Sequence, residues 1–95
     1  MAAYLVVEVH DVSDGDAMMR YVENVTPMAT RFGAKYLSRG PAQVLEGEHD
    51  AQMLVIIEFP TQEQLRAFYT SDEYAPFIEL RQRACDSVFL AVDGV

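Results

Sequence analysis

"MLVIIEF", residues 53–59, is the strongest strand pattern in this 95-residue chain. Six of its seven residues are apolar and Pro60 follows directly, so the stretch predicts a β-strand. Side chains alternate between the two faces of a strand. One face therefore carries Met53, Val55, Ile57 and Phe59, and the other carries Leu54, Ile56 and Glu58. A sheet built around this strand needs an apolar cover on both faces.

The other apolar runs predict three further strands, each rich in β-branched or aromatic residues. They are "AYLVVEVH" (3–10), "AKYLSR" (34–39) and "DSVFLAV" (86–92). "AQVLEG" (42–47) is predicted to continue or extend the second of these strands. The polar residues that follow it are expected to turn the chain back towards residue 53.

Apolar residues at spacings of three and four predict an amphipathic helix between the first two strands. They are Met18, Tyr21, Val22, Val25, Met28, Ala29 and Phe32. Ser13 is a suitable N-cap for this helix. Pro27 is expected to kink it, because proline lacks a backbone donor. Gly33 is expected to end it in the left-handed conformation.

A second helical segment is predicted between residue 60 and the last strand. Thr61 and Gln64 form a capping box for its start, and Ser71 is expected to break the helix and restart it as an N-cap. The predicted order is βαββαβ, the ferredoxin-like split motif of the α+β class. Residues 1–95 are predicted to form one domain, with a four-stranded antiparallel sheet and the helices on one face.

This arrangement leaves one face of the sheet without helices. Leu54 and Ile56 are expected on that face, together with Val6 of the first strand. An uncovered apolar face of this kind marks an interaction surface. A second copy of the chain packed face to face covers it, so we expect a homodimer.

Composition and charge narrow the classes of function. Fifteen acidic residues against seven Lys and Arg give a formal charge of −8, which argues against binding to nucleic acid or to anionic membrane surfaces. No apolar run approaches the roughly 20 residues that span a bilayer. No signal peptide is visible at the N-terminus. The single cysteine, Cys85, fits a reducing compartment, so we expect a cytoplasmic protein.

The chain resembles the domain-of-unknown-function family 1330, within the dimeric α+β-barrel superfamily. The residues that carry the resemblance are "RYVENVTPMATRFGAKYLSRG" (20–40), "VLEG" (44–47), "VIIEFPTQEQLRAFYTSDEY" (55–74) and Arg81. Ala34 and Phe68 stand where the family often has Gly and Trp, and Pro76 in the last helix is unusual. The resemblance implies a ferredoxin-like subunit and a face-to-face dimer. It implies no particular reaction.

Two acids in apolar strands, Glu8 and Glu58, are the candidate catalytic residues. We expect the first and third strands to be parallel neighbours, which would place both carboxylates near one end of the face without helices. Two carboxylates beside a cavity repel, which raises one pKa and makes a general acid–base group. The alternative is that each carboxylate forms a structural ion pair with Arg39 or Arg81.

The candidate substrate-binding residues are Arg39, Tyr69, Tyr74 and Arg81. The two arginines can hold a substrate carboxylate bidentately, or they can neutralise the two glutamates. The tyrosines can donate hydroxyl groups to a ligand, or they can be core aromatics with one exposed end.

The sequence predicts no metal site and no cofactor. Glu8 and His10 share one strand face, but no third ligand is evident, and no glycine-rich phosphate loop is present. We therefore expect a homodimer that binds a small organic molecule in the barrel cavity, with cofactor-free acid–base chemistry. The alternative is a ligand-binding or stress-response protein without catalysis.

Overall fold

The computed structural model describes all 95 residues. The strands are β1 (Ala3–Val12), β2 (Lys35–Gly40), β3 (Met53–Phe59) and β4 (Cys85–Asp93). The helices are α1 (Gly15–Arg31), α2 (Gln62–Tyr69) and α3 (Ala75–Ala84). The chain order β1-α1-β2-β3-α2-α3-β4 confirms the predicted βαββαβ arrangement, with its second helical segment divided in two.

The four strands form one antiparallel sheet in the order β2-β3-β1-β4, which confirms the ferredoxin-like α+β fold. The prediction that β1 and β3 are parallel is wrong. They pair antiparallel, with Tyr4 opposite Glu58 and Glu8 opposite Leu54. The crossover through α1 makes β2 parallel to β1, and β3 returns antiparallel from β2 into the gap between them.

One side of the sheet and the three helices enclose the core. Five of the residues that β1 and β3 direct towards the helices are almost completely buried: Ala3, Leu5, Val7, Ile57 and Phe59. The helices contribute the other large buried side chains, Val25, Met28, Leu65 and Phe68, and Tyr74 lies beside them in the turn before α3. The predicted period of two in the strands therefore assigns the helix-covered face correctly.

The other side of the sheet, which we call the open face, carries three rows of side chains from β3, β1 and β4. The central row is Ile56, Val6 and Leu90; the flanking rows are Glu58, Tyr4 and Val92, and Leu54, Glu8 and Val88. No helix covers these rows, and the three β4 side chains are 41–53% exposed. An apolar surface of this kind is a feature of interaction sites.

The N-cap of α1 is Asp14, whose side chain accepts a hydrogen bond from the Ala17 backbone N–H. The prediction of Ser13 is wrong by one residue, because the Ser13 hydroxyl donates to the Ala84 carbonyl instead. The helix continues through Pro27. Gly33 follows it with a φ of +94°, which confirms the predicted left-handed residue.

The helical segment between β3 and β4 divides as predicted. The Thr61 hydroxyl accepts a hydrogen bond from the Gln64 N–H and so caps α2. Ser71 holds the turn between the helices, because its hydroxyl donates to the Phe68 carbonyl and accepts from the Tyr74 N–H. It is not the N-cap of α3, which is Tyr74. Pro76 lies in the first turn of α3, where proline is tolerated.

Residues 41–52 contain no strand, so the prediction that "AQVLEG" extends β2 is wrong. Val44 and Leu45 in this segment are 49% and 87% exposed, and neither packs against the core. Gly40, the last residue of β2, already pairs with Leu54 near the start of β3, so a continuation of β2 would run past the end of its partner strand. None of the three helices is long and apolar enough to cross a membrane.

Candidate functional site

A cavity of about 610 Å³ lies between α1 and the helix-covered face of the sheet. Helix α1 lines it with Met18, Val22 and Val25, and the sheet with Val7 and Val55. Sixteen of its 23 lining residues are hydrophobic. The cavity lies within a single chain, on the helix-covered side of the sheet. We expected the ligand on the opposite side, at the open face.

Arg81 of α3 is the charged group inside this cavity. Its side chain is buried, with 4% exposed, and its Nη1 donates to the Ser87 hydroxyl at 3.2 Å. The guanidinium carbon lies 3.8 Å from the centre of the Phe89 ring, in cation–π contact. Nε and Nη2 are buried and have no hydrogen-bond partner of normal geometry, although an interaction of Arg81 with the Tyr74 hydroxyl opposes the rise of the Tyr74 pKa.

The Tyr21 and Tyr74 hydroxyl oxygens lie 2.5 Å apart, and one of them donates to the other. Tyr21 lines the cavity, whereas Tyr74 is completely buried behind it. Burial raises the pKa of both hydroxyls above the ordinary value, and the nearby Arg81 charge opposes that rise. Both tyrosines are therefore neutral hydrogen-bonding groups at physiological pH.

The other predicted binding residues lie apart from this group. Arg39 also lines the cavity, but its side chain is exposed at the rim and its guanidinium lies 5.2 Å from the Tyr36 ring centre. Tyr69 lines a separate cavity of about 240 Å³ beside α2. The structure thus brings Arg81 and Arg39 to the larger cavity, buries Tyr74 behind its wall, and leaves Tyr69 at the smaller cavity.

Glu8 and Glu58 both lie on the open face, as predicted, but they do not lie side by side. The antiparallel register separates them by four residues along the strands, about 13 Å at the usual rise per residue. Neither forms an ion pair with Arg39 or Arg81. The prediction that the two carboxylates lie close together is therefore wrong, because the two central strands run in opposite directions.

Each of the two glutamates has partners of its own. The Tyr4 hydroxyl donates to Glu58 at 3.2 Å, which raises the pKa of Tyr4. Glu8 Oε1 lies 2.9 Å from His10 Nε2 and 3.3 Å from His49 Nε2. The hydrogen bond with His10 lowers the pKa of Glu8, the opposite of the expected rise. No group of three His, Cys, Asp or Glu side chains has an arrangement that could hold a metal ion.

Sequence reasoning missed two residues of the cavity. Tyr21 was assigned only to the apolar stripe of α1, although its hydroxyl belongs to the site. Ser87, which binds Arg81, lies on the helix-covered face of β4. The sequence did indicate both residues indirectly: Tyr21 and Ser87 each place a hydroxyl at an inward position of an apolar helix or strand. A buried hydroxyl there needs a hydrogen-bond partner.

The sequence model of the family described as "Domain of unknown function (DUF1330)" matches residues 2–95. The search of curated proteins found no match. A protein of unknown function from Rhodopseudomonas palustris is similar in structure, with a TM-score of 0.78 and 20% identity over 99% of this chain and 82% of that one.

Two further solved structures share the fold. A dimeric ferredoxin-like protein of unknown function from Jannaschia sp. CCS1 has a TM-score of 0.77 and 14% identity, over 99% of this chain and 100% of that one. SnoaB, a cofactor-independent oxygenase from Streptomyces nogalater, has a TM-score of 0.62 and 9% identity, over 99% and 91%. Identities this low establish a common fold and nothing about a shared activity.

Proposed function

The chain belongs to the DUF1330 family, and from this premise we propose that it is a homodimer that binds a small, largely apolar organic molecule inside each subunit. The observation that carries the proposal is the cavity of about 610 Å³ between α1 and the sheet. Ligand sites are typically about 300–1,000 Å³, with apolar walls and a few polar groups. This cavity has that size and that lining, with the buried Arg81 and the half-buried Tyr21 among its polar groups.

The homodimer rests on the open face. Its central row, Ile56, Val6 and Leu90, has no polar member, and no element of the chain covers it. A second copy in two-fold symmetry would set the same surface against itself. The neighbour from Jannaschia is described as dimeric, which supports this assembly for the fold.

The groups on the cavity wall favour binding over proton transfer. Burial raises the pKa of the Cys85 thiol and of the Tyr21 hydroxyl, so both remain protonated near neutral pH. The predicted proton carriers, Glu8 and Glu58, project from the other side of the sheet. A base inside the cavity would have to be the ligand itself or an exposed residue at the rim.

Catalysis by the glutamates stays a prediction, and it requires a second site at the dimer interface. The observation in its favour is the Tyr4–Glu58 hydrogen bond in one outer row of the open face. SnoaB is described as a cofactor-independent oxygenase, so one protein of this fold does catalyse a reaction. The Glu58→Gln variant described in the Discussion separates this alternative from binding in the cavity.

A thermal-shift screen with small carboxylates, lactones and phenols tests the proposed function. A ligand at ten times its Kd stabilises a folded protein by about 1.4 kcal/mol. That is a rise in Tm of roughly 6–11 °C for a domain of this size. Val55→Phe fills part of the cavity and should abolish the rise, whereas Val44→Phe, in the exposed segment 41–52, should preserve it. Equal stabilisation of both variants would contradict binding in this cavity.

A further inference from the structure

We propose that the ligand is a monoanionic carboxylic acid with an apolar body, and that Arg81 Nε and Nη2 hold its carboxylate. This inference rests on the proposed function and names the chemical class of its ligand. It starts from the state of Arg81, which is 4% exposed and has two nitrogens without an acceptor. Buried charges in folded proteins are normally paired or fully hydrogen-bonded, because leaving them unpaired costs several kcal/mol.

The two unpaired nitrogens lie on the same edge of the guanidinium. The Nε–H and the adjacent Nη2–H point in parallel, and this pair matches the two oxygens of a carboxylate in a bidentate geometry. The third nitrogen, Nη1, is already bound to the Ser87 hydroxyl. Phe89 packs against the flat face of the same group at 3.8 Å. Ser87 and Phe89 thus fix the guanidinium, and its bidentate edge is buried without an acceptor.

No carboxylate of the chain occupies that edge. The ion pairs of the protein join Glu8 to two histidines, Asp50 to His10, and Arg31 to Glu73, and none includes Arg81. This holds although the chain has fifteen acidic residues. Arginine remains charged at any physiological pH, so the cavity keeps a positive charge that a ligand anion can neutralise.

The surroundings of Arg81 limit the ligand to one charge and an apolar body. The wall is mostly hydrophobic, with a single charged group buried in it. A phosphate or a dicarboxylate would leave a second negative charge without a buried partner, because Arg39, the other cation of the wall, is exposed at the rim. Tyr21 faces the same cavity, and when Tyr74 donates to it the Tyr21 proton is free to donate to the ligand. Aromatic and branched aliphatic monocarboxylates fit these conditions.

The test measures binding of three acids and their uncharged amides by isothermal titration calorimetry. The pairs are benzoate and benzamide, phenylacetate and phenylacetamide, and cyclohexanecarboxylate and its amide. An acid and its amide have nearly the same shape, so their ratio of affinities reports the charged contact. We expect the wild type to bind at least one acid about ten- to a hundredfold more tightly than its amide, the usual range for a charged hydrogen-bonded contact.

Arg81→Met should remove this preference, and Arg81→Lys should reduce it, since lysine keeps the charge and loses the two-pronged geometry. Arg83→Met is the matched control, because Arg83 lies on the same helix, is exposed and has the same charge. It should keep the full preference. Circular dichroism checks that each variant is folded. If Arg81→Met does not fold, Arg81→Lys and the control decide the question.

The outcomes separate this inference from the proposed function. If acids and amides bind the wild type equally and Val55→Phe abolishes both, the cavity binds ligands and the anion proposal is wrong. An unchanged preference in folded Arg81→Lys and Arg81→Met proteins also overturns it. If no compound of the panel binds the wild type at millimolar concentration, both the anion proposal and the proposed function fail.

Discussion

Replacing Val6 by aspartate tests the proposed dimer at the middle of the open face. Val6 lies between Ile56 and Leu90 in the central apolar row, so a face-to-face dimer would bury the new carboxylate. Burying an unpaired charge costs several kcal/mol after relaxation, and two-fold symmetry applies the cost twice. With about 3 kcal/mol for each copy, the dimer loses about 6 kcal/mol, which weakens association by roughly four orders of magnitude.

Sedimentation equilibrium at micromolar concentration measures this effect. The wild type should have twice the chain mass of 10.7 kDa, and the Val6→Asp protein should have the single mass. Gln82→Glu adds the same charge on the exposed side of α3 and should leave the dimer intact. A wild type that remains monomeric, or a Val6→Asp protein that dimerises like the wild type, would refute the assignment of this face.

Three further predictions concern single residues. Gly33→Ala should lower the stability by about 1–3 kcal/mol in a thermal unfolding experiment. An alanine is strained at the φ of +94°, and its Cβ would lie 2.9 Å from the Pro60 ring. An unchanged Tm would contradict this prediction. Glu58→Gln should leave acid binding in the cavity unchanged within about twofold, since Glu58 lies across the sheet, and it should lower the stability only slightly, because its bond to Tyr4 lies on the open face. A lost calorimetric signal would favour the glutamate site. The hydrogen bond with Glu8 raises the pKa of His10 and lowers that of Glu8, so their mutual stabilisation is complete between their ordinary values of 4.5 and 6.5. This stabilisation decreases as the pH rises through the folded pKa of His10 or falls through that of Glu8. The Tm difference between wild type and His10→Gln should therefore be greatest between pH 4.5 and 6.5. A Tm difference that does not change with pH would count against the pair.

Local patterns in the sequence predicted the elements of the fold well. The bounds of β3 match the prediction residue for residue, and the Thr61 cap and the left-handed Gly33 were both expected. Each of these features depends on a few neighbouring residues. Hydrophobic alternation also assigned Leu5 and Ile57 to the helix-covered face correctly, because that pattern has a fixed period.

The parts of the site that were not predicted depend on contacts between distant residues. Alternation shows which face of a strand Glu8 and Glu58 occupy, but not the direction in which the two strands pair. That direction decides whether the carboxylates meet, and it keeps them apart. The predicted pairing of Arg81 with a glutamate failed for a related reason, since α3 lies on the helix-covered side and the glutamates on the other.

No local pattern in the sequence predicts the cavity. The side chains of α1 that line it have the same spacing as those of a fully packed helix, so periodicity cannot distinguish a gap from a filled core. What the sequence did contain was an arginine in the last helix and a serine on the inward face of β4. Their contact at 3.2 Å, and the absence of any acceptor for the other two nitrogens, follow only from the three-dimensional arrangement.

A crystal structure of the protein with the tightest-binding acid of the panel shows directly whether Arg81 holds the carboxylate. We expect the apolar body between α1 and the sheet, and both carboxylate oxygens about 2.7–2.9 Å from Nε and Nη2 of Arg81. The Ser87 contact of Nη1 should remain in place. An acid bound on the open face beside Tyr4 and Glu58, or one in the cavity with its carboxylate away from Arg81, would contradict it.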